Sequence, residues 1–438
     1  MPDLARLFRV LCFVLLLPAC AHAAQEQVPP FHFGVNGDNW KGEIRRPGYA
    51  AALKALGVDF VVWHVSPEEM EQPGRLDELV RFFRSNGLRY LFNTELVNYV
   101  PGVPFFRNPD GTYRWDIKPA IMERLRADPL FMGQVYDEPM LMQSLNGATV
   151  NGRTVPPYFV DSRGMSPLAA YEAVVGKIRE LSAYQAGYGK LAVFEMVFPD
   201  YAHAAARGGA ILAPKFLKET SNDLMYFVYA GAARQYRQEL LFACVDLWFL
   251  DKFPENGTWS PGHHTPRELR EALEYAYRMG VDYAYVEHVK ALANTETGEL
   301  TEYGRAVRDF NAGKARLARV SWRDWTPELV VRRFPDGYWG QEYSTFIPDH
   351  PYGSWQPKPA WMRNAAGQWL RLLSRLSAGA LPVDANNWNA LKSPAFAGRP
   401  YKGMVGLPPM LVLDHTAPLP AAAEGGPEVV DLAADMPR

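Results

Sequence analysis

Two adjacent acids, Asp137 and Glu138, close the apolar run Phe131-Met132-Gly133-Gln134-Val135-Tyr136, and Pro139 follows them directly. Paired carboxyl groups are the residue types needed to give a proton to one atom and hold or attack another. Proline has no N–H to lend to a strand ladder, so the apolar run must end here. A strand buried on both faces that stops in a carboxyl pair places those acids where a parallel α/β sheet opens to ligand.

The elements around this stretch alternate strand and helix from Phe31 to about Asn311. Predicted strands are Phe31 to Val35, Val58 to Val65, Arg89 to Leu96, Phe131 to Tyr136, Leu191 to Phe198, Leu240 to Leu250 and Val281 to Val289. For the sixth in the order, Ala210 to Leu217 and Leu224 to Tyr229 compete. The first is favoured, because Ser221 and Asn222 can then cap a helix through Tyr236. Eight strands, each followed by a helix, in about 280 residues is the size of a closed (β/α)8 TIM barrel, here over residues 31–315. An open doubly wound sheet needs a glycine-rich phosphate turn after its first strand, and Gly34-Val35-Asn36-Gly37-Asp38 lacks that spacing.

In a barrel the carboxyl ends of all strands share one face. They supply Asn36 and Asp38; Trp63 and His64; Asn93 and Glu95; Asp137 and Glu138; Glu195; Lys215 and Glu219; Asp246, Trp248 and Asp251; Glu287 and His288. So many acids on one rim exceed what a structural barrel needs. Glu138 is the leading catalytic candidate with Asp137 beside it, and Glu287 is the first choice for a second carboxylate, with Glu219 and Asp251 in reserve. Because side chains alternate along a strand, Glu287 and His288 are not expected to face the same side. Expected substrate contacts are Asn36, Asp38, Trp40, Trp63, His64, Glu95, Glu195, Trp248, Asp251, His263 and His264; Trp259 is a further candidate sugar platform.

The 438 residues carry 46 basic and 48 acidic side chains, a balance with no electrostatic footprint for nucleic acid or an anionic membrane. Residues 1–23 read as a signal peptide: Arg6 and Arg9, an apolar run from Val10 to Leu17 too short to span a bilayer, and a small-residue site at Ala21-His22-Ala23. Leu17-Pro18-Ala19-Cys20 offers an alternative, a lipobox that would anchor the chain through Cys20. Export to the periplasm or beyond is the expectation either way. Cys244, alone inside an apolar strand, reads as packing. The histidines lack metal-ligand spacing, no nucleotide or Ser-elbow motif occurs, and neither metal nor cofactor is expected.

Paired carboxylates on the open face of an exported barrel with aromatic strand ends point to glycosidic bond cleavage, in which one carboxyl protonates the leaving oxygen and another attacks or activates water. The acid-Glu-Pro ending of strand four resembles the (β/α)8 glycoside hydrolases of clan A. YDEP and GHHTPRELREALEYAYRMGVDYAYVEHV are also similar to uncharacterised bacterial secreted glycosidase-like proteins. The resemblance covers roughly Phe31 to Asn311. It implies an acid/base role for Glu138, with Asp137 standing where the family has Asn. An ionised Asp cannot donate a hydrogen bond to a sugar hydroxyl. The family's nucleophilic Glu at the end of strand seven is replaced here by Asp246 and Asp251. A carbohydrate-binding barrel without catalysis is the alternative.

Beyond Arg319 a small α/β accessory domain is expected over residues 320–418, from strands Glu328 to Phe334, Leu381 to Asn386 and Met410 to Leu413 and a helix Trp361 to Ser377. It weakly resembles the flavodoxin-like domains that follow some glycosidase barrels. Small residues and acids from Ala421 onward read as a flexible tail over residues 419–438.

Overall fold

The computed structural model describes residues 30–38, 43–95, 115–144, 149–150, 153–154, 157–162, 164–197, 199–218, 221–247, 264–335, 359–381, 403–419 and 425–437. The signal-peptide reading, Cys20, and the candidates Trp40, Glu219, Trp248, Asp251, Trp259 and His263 lie outside them. Among the described residues no helix is long and apolar enough to cross a membrane.

Eight parallel strands close a barrel: β1 (His32–Asp38), β2 (Phe60–His64), β3 (Arg89–Asn93), β4 (Phe131–Asp137), β5 (Leu191–Met196), β6 (Ile211–Phe216), β7 (Phe242–Val245) and β8 (Tyr283–Val286). Closure is made by β1 on β8, with His32 opposite Tyr283 and Val35 opposite Val286. Helices α1 (Tyr49–Leu56), α2 (Pro73–Ser85), α3 (Pro119–Leu125), α4 (Pro167–Ala186), α5 (Ala202–Arg207), α6 (Asn222–Gln235), α7 (Pro266–Arg278) and α8 (Glu302–Gly313) follow the strands in turn. This is a TIM barrel. Four of the helices, α2, α3, α4 and α7, open on a proline in their first turn, where its missing N–H costs nothing and its fixed φ starts the helix.

β6 is the first of the two competing segments, as expected. It reads weakly because Pro214 sits inside it. Its ladder toward β7 is interrupted there: Leu212 pairs with Leu241 before the proline, and pairing resumes at Lys215 opposite Cys244. The expected cap at Ser221 is not made by its side chain. Asn222 is used instead, its Oδ1 accepting the Leu217 N–H at 2.9 Å and so bracing the end of β6.

Inward residues fill the barrel in layers. Phe60, Val62, Leu91, Val135, Val193, Ala213, Phe242, Cys244 and Tyr285 form an apolar floor, with Phe242 and Tyr283 stacked 4.5 Å apart. Gly34 belongs to this floor because a Cβ there would meet the Phe60 ring at 2.6 Å. Outward strand residues such as Val61 and Trp63 join helix residues such as Phe83 in the larger core under the helices.

The C-terminal part is a three-stranded parallel sheet, order β10-β9-β11, of β9 (Leu329–Arg333), β10 (Met410–Asp414) and β11 (Glu428–Asp431), with helix α9 (Ala360–Leu376). Of the expected strand Leu381 to Asn386 only Leu381 is described, buried and outside any strand, and 382–386 lie outside the described residues. One expectation needs correction. The third strand comes from the segment expected to be a flexible tail. Val429 and Val430 suit a strand, and Asp431 fixes their register through a bidentate pair with Arg332 at 3.0 and 2.6 Å. The sheet is docked on the barrel's helices. Gly231 of α6 meets β10 so closely that a Cβ would fall 2.1 Å from the Val412 carbonyl oxygen. Asp414 accepts from Tyr171 of α4 at 2.8 Å and Gln235 of α6 at 2.7 Å, and Arg333 pairs with buried Asp200 at 2.9 Å.

Candidate active site

Above the apolar floor the next inward layer is polar, and every strand supplies one member at or just past its carboxyl end: Asn36, His64, Asn93, Asp137, Glu195, Lys215, Asp246 and Glu287, all buried. The two-residue period carries each strand from floor to ring: Val62 to His64, Leu91 to Asn93, Val135 to Asp137, Val193 to Glu195, Ala213 to Lys215.

Lys215 is the hub. Its Nζ lies 2.7 Å from Glu195, 2.8 Å from Glu138, 3.1 Å from Asp246, 3.1 Å from Glu287 and 3.6 Å from Asp137. Lys218 pairs with Glu138 and, at 2.9 Å, with Asp246. On the other side of the ring His64 Nε2 stands 3.2 Å from Glu95 and 3.5 Å from Asp137, whose Oδ2 also accepts from Asn93 at 2.6 Å. Tyr285 donates to Glu195, and the Cys244 thiol faces Glu287 at 3.7 Å.

Three non-glycine residues beside this cluster have left-handed backbone: Glu138 at φ 42°, Leu217 at 64° and His288 at 68°. Such positions cost about 1–3 kcal/mol each and persist only where the surroundings enforce them. Their effect is geometric. Alternation holds only while the chain is extended, and each kink turns the next side chain back toward the ring. Asp137 and Glu138 therefore both reach Lys215, and Lys215 and Lys218 both reach Asp246. The expectation that Glu287 and His288 face different sides fails for the same reason: both are buried at the ring, 3.5 Å apart. Backbone bonds hold the kinked ends, Glu138 N donating to the Glu195 carbonyl at 2.9 Å and Glu287 N to that of Val245 at 3.0 Å.

Protonation follows from this geometry. Burial pushes the Glu195 carboxyl up to about 7, with the Asp137 charge adding to it. Burial and then Asp246 hold Glu287 well above the usual carboxylate range. For Asp137 burial is outweighed by Lys215 and His64, which hold it below its ordinary value; for Asp246, Lys215, Lys218 and a hydrogen bond from Glu287 do the same. Burial alone would discharge His64, but its carboxylate partners keep it protonated well above its usual value. Buried His288 goes the other way, to about 3, and is a neutral imidazole. Lys215 is held as an ammonium by the acids around it, so it is no amine nucleophile at neutral pH.

These shifts set the pH dependence of stability. Glu195 and Glu287 bind protons more tightly folded than unfolded, so their contribution is present below about pH 4.3, the ordinary carboxyl value, and is lost as pH rises. Protonated His64 adds to the same trend above about pH 6.5. Buried His288 and His203, held neutral in the fold, oppose this trend below about pH 6.5, so the unfolding free energy is expected to fall with rising pH between about pH 6.5 and 8. Glu195→Gln should flatten that slope by close to one proton in denaturant titrations across the range; an unchanged slope would remove Glu195 as a titrating group.

Three buried trios have ligand atoms within 4.8 Å of one another: His64, Asp137 and Glu287; Glu195, Cys244 and Glu287; Asp246, Glu287 and His288. Lys215 contacts a member of each, so a fixed ammonium already supplies counter-charge at all three.

Of the sequence candidates, Asn36, His64, Glu95, Asp137, Glu138, Glu195 and Glu287 are brought together. Trp63 is not. It points outward into the core beside Tyr49 and Phe83, its indole N–H shared between the Glu69 oxygens at 3.3 and 3.2 Å. In a five-residue strand between His64 and Val62, alternation required this. Asp38 ends β1, but its side chain lies outside the described residues. His264 is buried at the start of α7, its carbonyl accepting from Tyr303 of α8 at 2.7 Å. Lys215, Lys218 and Asp246 carry much of the site yet were not chosen as site residues. The strand-end position of Lys215 and Asp246 was the available signal; for Lys218, three residues beyond Lys215, only the kink at Leu217 brings it in.

No family model matches the chain, and no curated protein matches it. Among solved structures, the chain is similar to a 3-keto-D-glucoside 4-epimerase from E. coli, with TM-score 0.32, 12% identity and coverage of 65% of this chain and 99% of that one. It is similar also to D-psicose 3-epimerase from Clostridium cellulolyticum H10, with TM-score 0.35, 12% identity and coverage of 66% and 100%. A β-1,3-glucanosyltransferase from Rhizomucor miehei, in complex with laminaritriose, matches with TM-score 0.35, 12% identity and coverage of 58% and 86%.

Proposed function

We propose that this chain is an exported carbohydrate-active enzyme, a glycoside hydrolase in which Glu287 gives a proton to the leaving oxygen and Glu138 attacks the anomeric carbon. One observation carries the reading: two carboxyl groups in opposite electrostatic settings meet at one ammonium in the barrel mouth. Glu287 is kept protonated by burial and by Asp246, whereas Glu138 is ion-paired with both lysines. A carboxyl kept protonated can give a proton, and a carboxyl held by two ammonium groups is positioned to attack. The resemblance to clan A implies the proton donor at Glu138. The charge distribution supports the reverse assignment, with Asp246 positioning the acid.

Both oxygens bond Lys215, at 2.8 and 3.1 Å. They therefore lie within about 6 Å of each other, nearer the roughly 5–5.5 Å of retaining enzymes than the 6.5–9.5 Å of inverting ones. Attack by Glu138 forms a glycosyl ester as the Glu287 proton passes to the departing sugar oxygen. Water deprotonated by Glu287 then hydrolyses the ester and restores both groups. The sugar released by hydrolysis of the ester, observed by NMR before mutarotation, is expected to keep the anomeric configuration of the cleaved linkage, and an inverted product would remove the assignment of Glu138. The substrate panel for finding that glycan is the primary test. Export rests on the reading of residues 1–23 and is tested by fractionating cells expressing the full chain.

A second reading, a carbohydrate-binding barrel without turnover, is favoured by the Lys215 ammonium standing between the two carboxyls. Binding of glycans with no hydrolysis of any by the wild type would decide for it.

A further inference from the structure

The ring contains two asparagines in opposite states. Asn93 is fully engaged, donating to Asp137 at 2.6 Å and accepting the Glu95 N–H at 2.8 Å. Asn36 is 1% exposed, yet among the described residues neither its Oδ1 nor its Nδ2 has a hydrogen-bond partner. Buried amides are nearly always satisfied, so an orphan of this kind calls for a partner that arrives later. Its direction is fixed by β1: Gly34, two residues earlier, opens onto the floor ring of Phe60, while Val35 lies in the outer core. Asn36 thus points into the ring, on the strand between β2, which ends in His64, and β8, which leads to Glu287.

An amide presents two N–H donors and a carbonyl acceptor in one plane. The group that satisfies both ends is one that donates and accepts at neighbouring atoms, such as a vicinal pair of sugar hydroxyls. We infer that Asn36 is a specificity-determining residue that binds a vicinal hydroxyl pair next to the linkage protonated by Glu287. This rests on the proposed function and names the part of the substrate that the site reads. Asp137 cannot donate to a hydroxyl while ionised, which leaves that task to another donor on the ring, and Asn36 has its donors free.

The inference separates from a structural role through stability. Asn36→Val and the smaller Asn36→Ala remove the amide without leaving a polar group behind. Thermal unfolding of wild type and both variants is measured in buffer, then with cellobiose, xylobiose, chitobiose and the glucosamine dimer over a concentration series. The expected result is that at least one variant melts at or above the wild type in buffer and binds the stabilising sugar at least ten-fold more weakly. Turnover of that sugar should show the loss mainly in KM. Both variants melting several degrees lower in buffer would mean that Asn36 supports the fold, and would overturn the inference. So would a variant that keeps the wild-type affinity, with the proposed function untouched. Failure of the wild type to respond to any of the sugars would overturn the inference together with the vicinal-hydroxyl substrate it depends on.

Discussion

Replacing Glu287 with glutamine is expected to lower kcat on a responsive glycan by about 10²–10⁴-fold, the range for loss of a positioned proton donor. The substitution keeps the shape and can still hydrogen-bond Asp246, so the fold and substrate affinity should change little. What is lost is a transferable proton. The discriminating measurement is leaving-group dependence. An activated aryl glycoside needs little protonation, so Glu287→Gln should cleave it with a much smaller deficit than it shows on a natural linkage. Glu138→Gln should be slow on both, because either leaving group is displaced by the same attack on the anomeric carbon. If Glu287→Gln keeps wild-type kcat on natural glycan, Glu287 is not the acid. The basic limb of the pH profile offers a second check: burial and Asp246 hold the donor protonated well above the usual carboxyl range, so activity should persist at pH values where an ordinary Glu has already lost its proton.

The second large effect is on stability. Lys215 is 2% exposed and is the shared counter-ion of the cluster. Lys215→Met fills similar space but leaves Asp137, Glu138 and Asp246 as buried charges with one fewer partner. Breaking a buried ion pair from one side costs about 3–5 kcal/mol, and urea titration at pH 7 should show a loss of that size. The sign of the pH dependence is the check. Without the ammonium, the carboxyls bind protons more readily in the folded state, so acid should relieve the defect. The gap between variant and wild type should narrow from pH 7 to pH 5. A gap that stays constant across that range would mean that the loss is one of packing and that Lys215 is not compensating charge.

Much of the site was legible before any coordinates. Residues at strand ends in a (β/α)8 chain must gather on one face, so Asn36, His64, Asp137, Glu195 and Glu287 could be named from the strand pattern alone. β6 was the weakest element to read because Pro214 interrupts its ladder, and the helix behind it decided the choice. The errors have identifiable causes. Trp63 was credited as a sugar platform although strict alternation turns it away once His64 faces in. Glu287 and His288 were expected to part, because alternation was extended past the strand into a left-handed residue that no propensity marks. The last strand, Glu428–Asp431, was hidden by its composition; the ion pair of Asp431 with Arg332 is a contact across almost a hundred positions that local reading cannot see.

By itself the sequence determined the barrel, because period-two apolar runs and proline-started helices are local signals set by hydrophobic burial and backbone sterics. It also determined that acids would collect at one rim, since that is a consequence of parallel connectivity. Only the tertiary structure decided the charges. Whether a carboxyl is an acid or a base depends on burial and on neighbours brought in from other strands: Asp246 on Glu287, Lys215 on Asp137, Asp137 on Glu195. Coulomb interactions fall off with distance in space and take no account of separation along the chain. The roles at this site were therefore fixed only when eight strand ends met around one lysine.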